Sequence, residues 1–315
     1  MDNQFAEDVK EGLTAYPKYI PSKYFYDKKG DELFQQIMQL PEYYLTNLEY
    51  EIFTGQQHDM LQAISPNGES FNLIEFGAGD ATKTKVLLKC FLDKKAEFIY
   101  SPVDISGNVL QILENKLSEE FPDLLIKSVE DDYFNAVDVI NKRDFDKKVL
   151  FFLGGNIGNF SLDESLNFLR TVREKMNPGD LLLTGFDLKK DPRVILNAYN
   201  DNSGITHAFN MNLLHRINNE LDAEFVPENF YHYPVYDPSS GEARSYLVSR
   251  IRQEVPVNSL NIKIVLEAGE TIHTEISRKY HIRDIEKLAR DTGFEIANHF
   301  FDEKKYFVDS LWKVV

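Results

Sequence analysis

An α/β fold with a doubly wound, mainly parallel sheet, joined to a second α+β domain, is what this sequence predicts. Three observations carry that expectation. Leu73-Ile74-Glu75-Phe76-Gly77-Ala78-Gly79-Asp80-Ala81-Thr82-Lys83-Thr84-Lys85 is an apolar run, an acid, a Gly-x-Gly turn and a polar lead into a helix. A buried parallel strand hands over to a helix in that way, and glycines at the turn let a ligand approach the backbone without meeting a Cβ. From residue 72 to 186, strand-like runs alternate with helical runs, the signature of repeated βαβ units. After Asp187 the rhythm changes to two helical runs and several β-like runs, which predicts an insert of different architecture.

Taken in order, residues 72–76 read as strand one, with a helix over 82–92. Strand two covers 98–103 and closes on Asp104, and Ser106 is placed to cap a helix over 106–120. Residues 124–129 read as strand three, followed by Glu130-Asp131-Asp132-Tyr133. Strand four, 148–153, is followed by Gly154-Gly155-Asn156-Ile157-Gly158-Asn159; a helix over 162–176 and strand five over 181–186 follow. The insert reads as helices over 192–199 and 208–221 and β-runs over 231–236, 245–251 and 260–266, ending near Thr274-Glu275-Ile276-Ser277. A helix over 282–292 and strands over 295–301 and 306–313 return to the sheet. Upstream, a helix near residues 30–40 is broken by Pro41-Glu42-Tyr43-Tyr44, and another begins near Thr46. The N-terminal segment is expected to pack against the insert.

Composition narrows the function classes. The chain has 315 residues, 43 % of them hydrophobic, with a formal charge of −16 from 35 basic and 51 acidic side chains. A strongly acidic surface argues against nucleic acid and anionic membranes as partners. Cys90 is the only cysteine, so neither an internal disulfide nor a cysteine-based zinc site is available; it reads as core. The start of the chain is unlike a signal peptide, and no apolar run approaches the length of a membrane span. A cytoplasmic, monomeric protein without a metal is the expectation.

The chemistry-bearing groups cluster at strand ends. Position 82 is Thr where a dinucleotide fingerprint needs a third glycine, which turns the ligand of Gly77 and Gly79 toward S-adenosylmethionine. Lys83 would meet the cofactor carboxylate, or would be a solvated residue at a helix start. Asp104 has the acceptor-only chemistry to take both ribose hydroxyls, or would cap the following helix. Asp132 and Tyr133 would bond the adenine amino group and cover its ring, or belong to a solvated acidic loop. The loop from Gly154 to Asn159 faces the place of a methyl acceptor, and Asn159 offers a donor and an acceptor. Glu275 and Ser277 alternate, so they would point the same way and read two ring nitrogens, as an ordinary exposed strand would also alternate.

In order along nearly the whole chain, Phe25-Tyr26-Asp27, Leu40-Pro41-Glu42-Tyr43-Tyr44, Glu75-x-Gly77-x-Gly79, Pro102-Val103-Asp104-Ile105-Ser106, Ile157-Gly158-Asn159-Phe160, Ala198-Tyr199-Asn200-Asp201, Phe209-Asn210-Met211-Asn212 and Thr274-Glu275-Ile276-Ser277 resemble the L-histidine Nα-methyltransferases of ergothioneine biosynthesis. The resemblance implies a Rossmann-like methyltransferase domain (47–189 and 279–315) and a substrate-binding domain (1–46 and 190–278). It implies trimethylation of the histidine α-amine to the betaine hercynine. Gly77, Gly79, Lys83, Asp104, Asp132 and Tyr133 fall on cofactor positions by that likeness. Tyr26, Tyr43, Gly154, Asn159 and Tyr199 fall around the substrate amine and carboxylate, and Glu275 and Ser277 on the imidazole; Tyr26, or water held by it and Tyr43, is the expected proton relay. Asn156 stands where the family commonly has Thr, and Arg244-Ser245-Tyr246-Leu247 where relatives often read Glu-Met-His-Leu. Those departures keep open N-methylation of another amino acid or amine; a non-catalytic sensor of S-adenosylmethionine is a second rival.

Overall fold

The chain opens with α1 (Asn3–Thr14), β1 (Lys18–Tyr19) and α2 (Lys28–Ile37), the last started by Asp27, whose carboxylate accepts from the Gly30 N–H. Helix α3 (Leu45–Ile64) precedes the alternating part: β2 (Phe71–Phe76), α4 (Thr84–Asp93), β3 (Phe98–Asp104), α5 (Gly107–Glu120), β4 (Val129–Glu130), α6 (Tyr133–Asn141), β5 (Lys148–Phe152), α7 (Leu162–Glu174) and β6 (Leu181–Asp187). The insert holds α8 (Pro192–Asn197), α9 (Ile205–Leu221), β7 (Phe230–Asp237), β8 (Glu242–Ser249), β9 (Gln253–Val257), β10 (Ile262–Leu266) and β11 (Thr271–Arg278). It is followed by α10 (Ile282–Asp291), β12 (Phe294–Phe301) and β13 (Phe307–Val314). This is a computed structural model, and it describes residues 3–141 and 147–315.

Two compact units emerge: Met1–Tyr44 with Lys189–Lys279, and Leu45–Leu188 with Tyr280–Val315. The second contains a seven-stranded sheet in the order β12-β13-β6-β5-β2-β3-β4. Pairs from β4 to β6 are parallel, while β13 runs antiparallel to both β6 and β12. The strand order reverses between β2 and β5, and ligands of doubly wound sheets bind at the carboxyl ends on either side of such a switch point. Every residue of β2, β5 and β6 is buried, as a parallel sheet covered on both faces requires. Phe186, stacked on the Trp312 indole at 5.7 Å, anchors the antiparallel side.

The edge strand is shorter than the sequence predicts, and Pro102 explains it. Tyr100 exchanges backbone hydrogen bonds with Leu125 and Lys127 on the β4 side. The next residue of β3 facing that side is Pro102, which has no N–H to donate. Regular pairing therefore lapses and resumes only at Val103–Val129 and Asp104–Glu130. Ser106 caps α5 as expected, accepting from the Val109 N–H.

The other unit is built on a four-stranded sheet, β1-β11-β8-β7, with β9 and β10 as a separate hairpin. Strand β1 pairs in parallel with β11, Lys18 opposite Ile272 and Tyr19 opposite His273. The N-terminal segment therefore packs on the insert. Its core joins Phe5, Val9 and Phe25 from the chain start to Phe209, Leu213 and Ile217 of α9 and Leu247 and Ile272 of the sheet. Strand β9 escapes the sequence reading because Pro256 sits within it, a residue tolerated at an edge but a breaker elsewhere. Among the described residues no helix is long and apolar enough to cross a membrane.

Candidate active site

At the carboxyl end of β2 the chain turns through Gly77 at φ +66° and Gly79 at φ +55°, conformations that favour glycine. A Cβ on Gly77 would lie 3.1 Å from the Tyr133 hydroxyl. Tyr133 itself lies flat on Phe76, ring centroids 4.6 Å apart and planes within 9°. Burial, and then the nearby charge of Asp104, push the Tyr133 phenol above its ordinary pKa. Tyr133, Asp104 and Gly77 thus form one group at the ends of β2, β3 and β4.

Asp104 closes β3 with one oxygen, Oδ1, taken by the Ser106 N–H at 2.9 Å. Part of its carboxylate therefore shapes the turn, as a capping residue would. Asp132 is not in a loose acidic loop: it heads α6, a helix the sequence reading left out. Its Oδ1 accepts from the Phe134 and Asn135 N–H groups and its Oδ2 from the Asn135 amide. That leaves the second lone pair of Oδ2 for one further donor.

The acid before the glycines faces inward. Glu75 is 4 % exposed and accepts from Thr84 Oγ1 at 2.6 Å and Tyr100 Oη at 2.5 Å. Burial pushes its carboxyl up to about 7, against those two hydrogen bonds and the pull of Lys83. Glu75 braces β2 to α4 and β3.

Lys83 is not a solvated helix-start residue either. Its ammonium forms an ion pair with Glu49 of α3, a fully buried side chain. Burial works against the charged ammonium, but the charge and hydrogen bond of Glu49 outweigh it and hold the Lys83 pKa above its ordinary value. The other Glu49 oxygen accepts from the Gly154 N–H at 2.7 Å. One carboxylate therefore ties the loop after β2 to the loop after β5, the two loops at the switch point. Asp309 of β13 completes the cluster, its carboxyl held well above the usual range by burial and by the charge of Glu49. Glu49 was missed by sequence reasoning. It lies 34 positions before Lys83, in a helix of which the sequence marks only a start near Thr46.

Gly154, at φ +75°, starts a tight turn, and a Cβ there would lie 3.7 Å from the Lys83 ammonium. Asn156–Asn159 forms a short 3-10 turn, with Asn159 half-buried at its end and Asn156 exposed. Gly77, Gly79, Lys83, Asp104, Asp132, Tyr133, Gly154 and Asn159 therefore share one edge of one sheet. Backbone turns free of Cβ atoms and an acid at the end of β3 fit S-adenosylmethionine, while the Lys83 ammonium at the same edge is already engaged by Glu49. Among the described residues no group of metal-binding side chains is present.

The other unit holds the remaining candidates. Tyr26 and Tyr43 both set ring edges against Phe34 of α2, at 5.5 and 6.1 Å. Tyr43 also packs on the small cluster of Ile195, Ala198, Tyr199 and Ala243. The Tyr199 hydroxyl accepts from the Lys279 ammonium at 2.7 Å, and that ammonium also donates to Ser277 Oγ at 2.8 Å. Ser245 stands opposite Glu275, and Ala243 opposite Ser277. Two-residue spacing on both strands sends Glu275 and Ser277 out on one face. A bulge sits just before them, between His273 and Glu275; there Thr274 donates to Asn210 of α9 at 2.8 Å and to the Ser245 carbonyl at 3.1 Å. Glu275 Oε2 accepts from Ser245 Oγ at 3.2 Å. Burial pushes the Glu275 carboxyl up to about 7, with the Lys279 charge and the Ser245 hydrogen bond pulling the other way. Ser245 and Lys279 carried no signal beyond a departure from the family pattern and a basic residue after a strand.

A model of the histidine-specific, S-adenosylmethionine-dependent methyltransferases matches residues 5–314. The histidine N-alpha-methyltransferase of Mycolicibacterium smegmatis is 33 % identical over 304 residues, covering 96 % of this chain and 93 % of its own. Ergothioneine biosynthesis protein 1 of Neurospora crassa is 28 % identical over 94 % of this chain, which spans 33 % of that longer relative. A 4-dimethylallyltryptophan N-methyltransferase of Claviceps purpurea is 24 % identical, covering 94 % of this chain and 90 % of its own. With a Rossmann-like sheet whose switch point carries the glycine turns, and a family match running almost from end to end, this chain belongs to the histidine-specific, S-adenosylmethionine-dependent methyltransferases.

Proposed function

We propose that this enzyme transfers methyl groups from S-adenosylmethionine to the α-amine of L-histidine, three times in succession, ending at the betaine hercynine. The observation that carries the reading is the pairing of Glu275, a half-buried acceptor, with Ser277, a hydroxyl, on one face of β11. A neutral imidazole has one N–H donor and one acceptor nitrogen, and those two groups answer both. A site built on such hydrogen bonds rejects analogues lacking the donor by roughly 10⁴–10⁵.

The seven-stranded unit serves as the cofactor domain, with Gly77, Gly79, Lys83, Asp104, Asp132 and Tyr133 as its binding groups. The other unit serves as the substrate domain through Tyr26, Tyr43, Tyr199, Glu275 and Ser277, while Gly154 and Asn159 serve the substrate head group from the sheet edge. The bound cofactor supplies an electrophilic sulfonium methyl. The chain's own task is to hold the amine in a near-attack position, which can supply a large part of the rate. It must also deliver that amine without its proton, although an ordinary α-amine titrates near ~7.7–8.0. Each transfer sheds a proton from nitrogen, and the Tyr26 and Tyr43 hydroxyls are the relay. The substrate is a free amino acid, the enzyme a monomer of the cytoplasm, and the charge of −16 disfavours nucleic acid or an anionic membrane as a partner.

Incubation with S-adenosylmethionine and single amino acids, read by product mass, tests the assignment. Histidine is expected to gain three methyl groups. Methylation of tryptophan or another amino acid with histidine untouched would overturn the substrate, and cofactor binding without turnover on any amine would overturn catalysis. In the same assay Glu275→Ala should lower kcat/KM for histidine by a factor of roughly 10² or more, the penalty for losing a charged hydrogen-bond acceptor. Binding of S-adenosylmethionine should stay within twofold; equal losses in both would make Glu275 a structural residue.

A further inference from the structure

Lys279 follows β11 directly and is 1 % exposed. A buried ammonium is costly unless its donors are used. Here two of them go to Tyr199 and Ser277, and the ammonium also lies over the Tyr199 ring, 4.9 Å from its centroid. Its backbone is held too, the Lys279 N–H donating to the Gly241 carbonyl at 2.7 Å.

We propose that Lys279 is a positioning residue that sets histidine selectivity: its single ammonium fixes the polarity of the Tyr199 and Ser277 hydroxyls and balances the charge of Glu275. This rests on the reading of Glu275 and Ser277 as the imidazole-reading pair. An ammonium has donors and no acceptor. Both hydroxyl oxygens must therefore accept from it, and each hydroxyl proton is directed away. Ser277 is thereby held as a donor, while Glu275 beside it is an acceptor. One donor and one acceptor match a neutral imidazole and mismatch an indole, which has only an N–H. Without Lys279, Ser277 can turn round and Glu275 keeps its proton to higher pH, so the pattern that selects histidine is lost twice over.

Among the described residues, the charge acting on Glu275 is that of Lys279. Ser245 of β8 faces it with a neutral hydroxyl, and Asn210 of α9 reaches the neighbouring Thr274. The flanking Arg244 is paired with Glu242 at 2.6 Å, and Tyr246 packs against His273 with ring centroids 5.3 Å apart. Those four belong to the alternate positions of β8 and to the far side of the bulge.

The test compares wild type, Lys279→Met, Ser277→Ala and the double variant with histidine and tryptophan as substrates, over a range of pH. Lys279→Met should raise KM for histidine by about tenfold or more while S-adenosylmethionine binding, read by calorimetry, stays within twofold. The acid limb of kcat/KM should move to higher pH by about one unit, and the preference for histidine over tryptophan should narrow. Because Lys279 acts through Ser277, the Ser277→Ala loss should shrink in the Lys279→Met background. An unmoved acid limb, additive losses, or equal weakening of histidine and cofactor binding would each overturn the proposal. Should Lys279→Met fail to fold, Lys279→Gln decides: it keeps a donor without the charge, and must still move the acid limb. If that variant also fails to fold, Lys279 is a folding residue and the proposal falls. A wild type inactive on histidine would instead refute the substrate assignment.

Discussion

Glu49→Ala removes the carboxylate that joins the two loops at the switch point. Glu49 is fully buried, its partner Lys83 is partly so, and its second oxygen is the acceptor for the Gly154 N–H. Removing one member of a buried ion pair costs about 3–5 kcal/mol, because the other charge is left in a poor solvent. The orphaned Gly154 N–H adds about 1–3 kcal/mol. Asp309 offsets part of this: with Glu49 gone, the influence that helped keep its carboxyl protonated vanishes, and it can ionise and pair with Lys83. A net loss of about 3–4 kcal/mol follows. At roughly 2–4 °C per kcal/mol for a unit of this size, Tm should fall by about 10 °C. Glu49→Gln keeps an acceptor for Gly154 and should lose less than half as much. Thermal melts followed by circular dichroism, with S-adenosylmethionine binding by calorimetry, measure both effects. Should Glu49→Ala melt within 2 °C of wild type and bind the cofactor as tightly, the idea that this carboxylate holds Lys83 and Gly154 in place is wrong.

The buried Glu75 makes a pH prediction. Its carboxyl is ordinary, near 4.5, in the unfolded chain and rises to about 7 in the folded one. Below about pH 4.5 both states hold the proton and nothing is lost. Between about 4.5 and 7 the unfolded chain releases it while the folded chain keeps it, so stability falls with rising pH by about 3 kcal/mol in all, then levels off. Glu75→Gln should remove that fall, so urea midpoints at pH 5 and pH 8 should differ less in the variant than in wild type; parallel curves would contradict it. Gly77→Ala puts an L side chain at φ +66° and a methyl 3.1 Å from the Tyr133 hydroxyl. The conformational cost alone is about 1–2 kcal/mol, and with Tyr133 displaced, cofactor binding should weaken by about tenfold or more; unchanged affinity would show that this turn does not approach the ligand.

Strands and the glycine turn were legible because their signals are local. An apolar run bounded by turn residues needs no partner to be recognised, and positions 77 and 104 follow from where such runs stop. What escaped depended on pairing across the fold. Pro102 shortens β4 because of which neighbour its missing N–H faces, and that requires knowing the strand order. Pro256 sits harmlessly in a hairpin edge that a one-dimensional reading treats as a break. Asp132 reads as an acid in an acidic loop until α6 is seen to begin behind it. Glu49 and Lys279 were invisible for a related reason: a charged residue in a helix or after a strand is ordinarily solvated, and only the packing of distant segments buries these two. Family resemblance reached Tyr26, Tyr43, Tyr199, Glu275 and Ser277, which the fold places in one unit; it did not reach the ammonium that joins Tyr199 to Ser277.

The parallel pairing of β1 with β11 joins Lys18 to Ile272. During synthesis α1 and β1 leave the ribosome with their apolar stripe exposed, and the strand they dock on is 254 residues away. At about 5–20 residues per second, that wait lasts roughly 13–50 s. In the meantime the sheet unit has most of its strands, although β12 and β13, on one side of the sheet beyond β6, follow only after β11. Docking of α1 and β1 therefore waits for β11, and a chaperone that shields their apolar stripe would act throughout that interval.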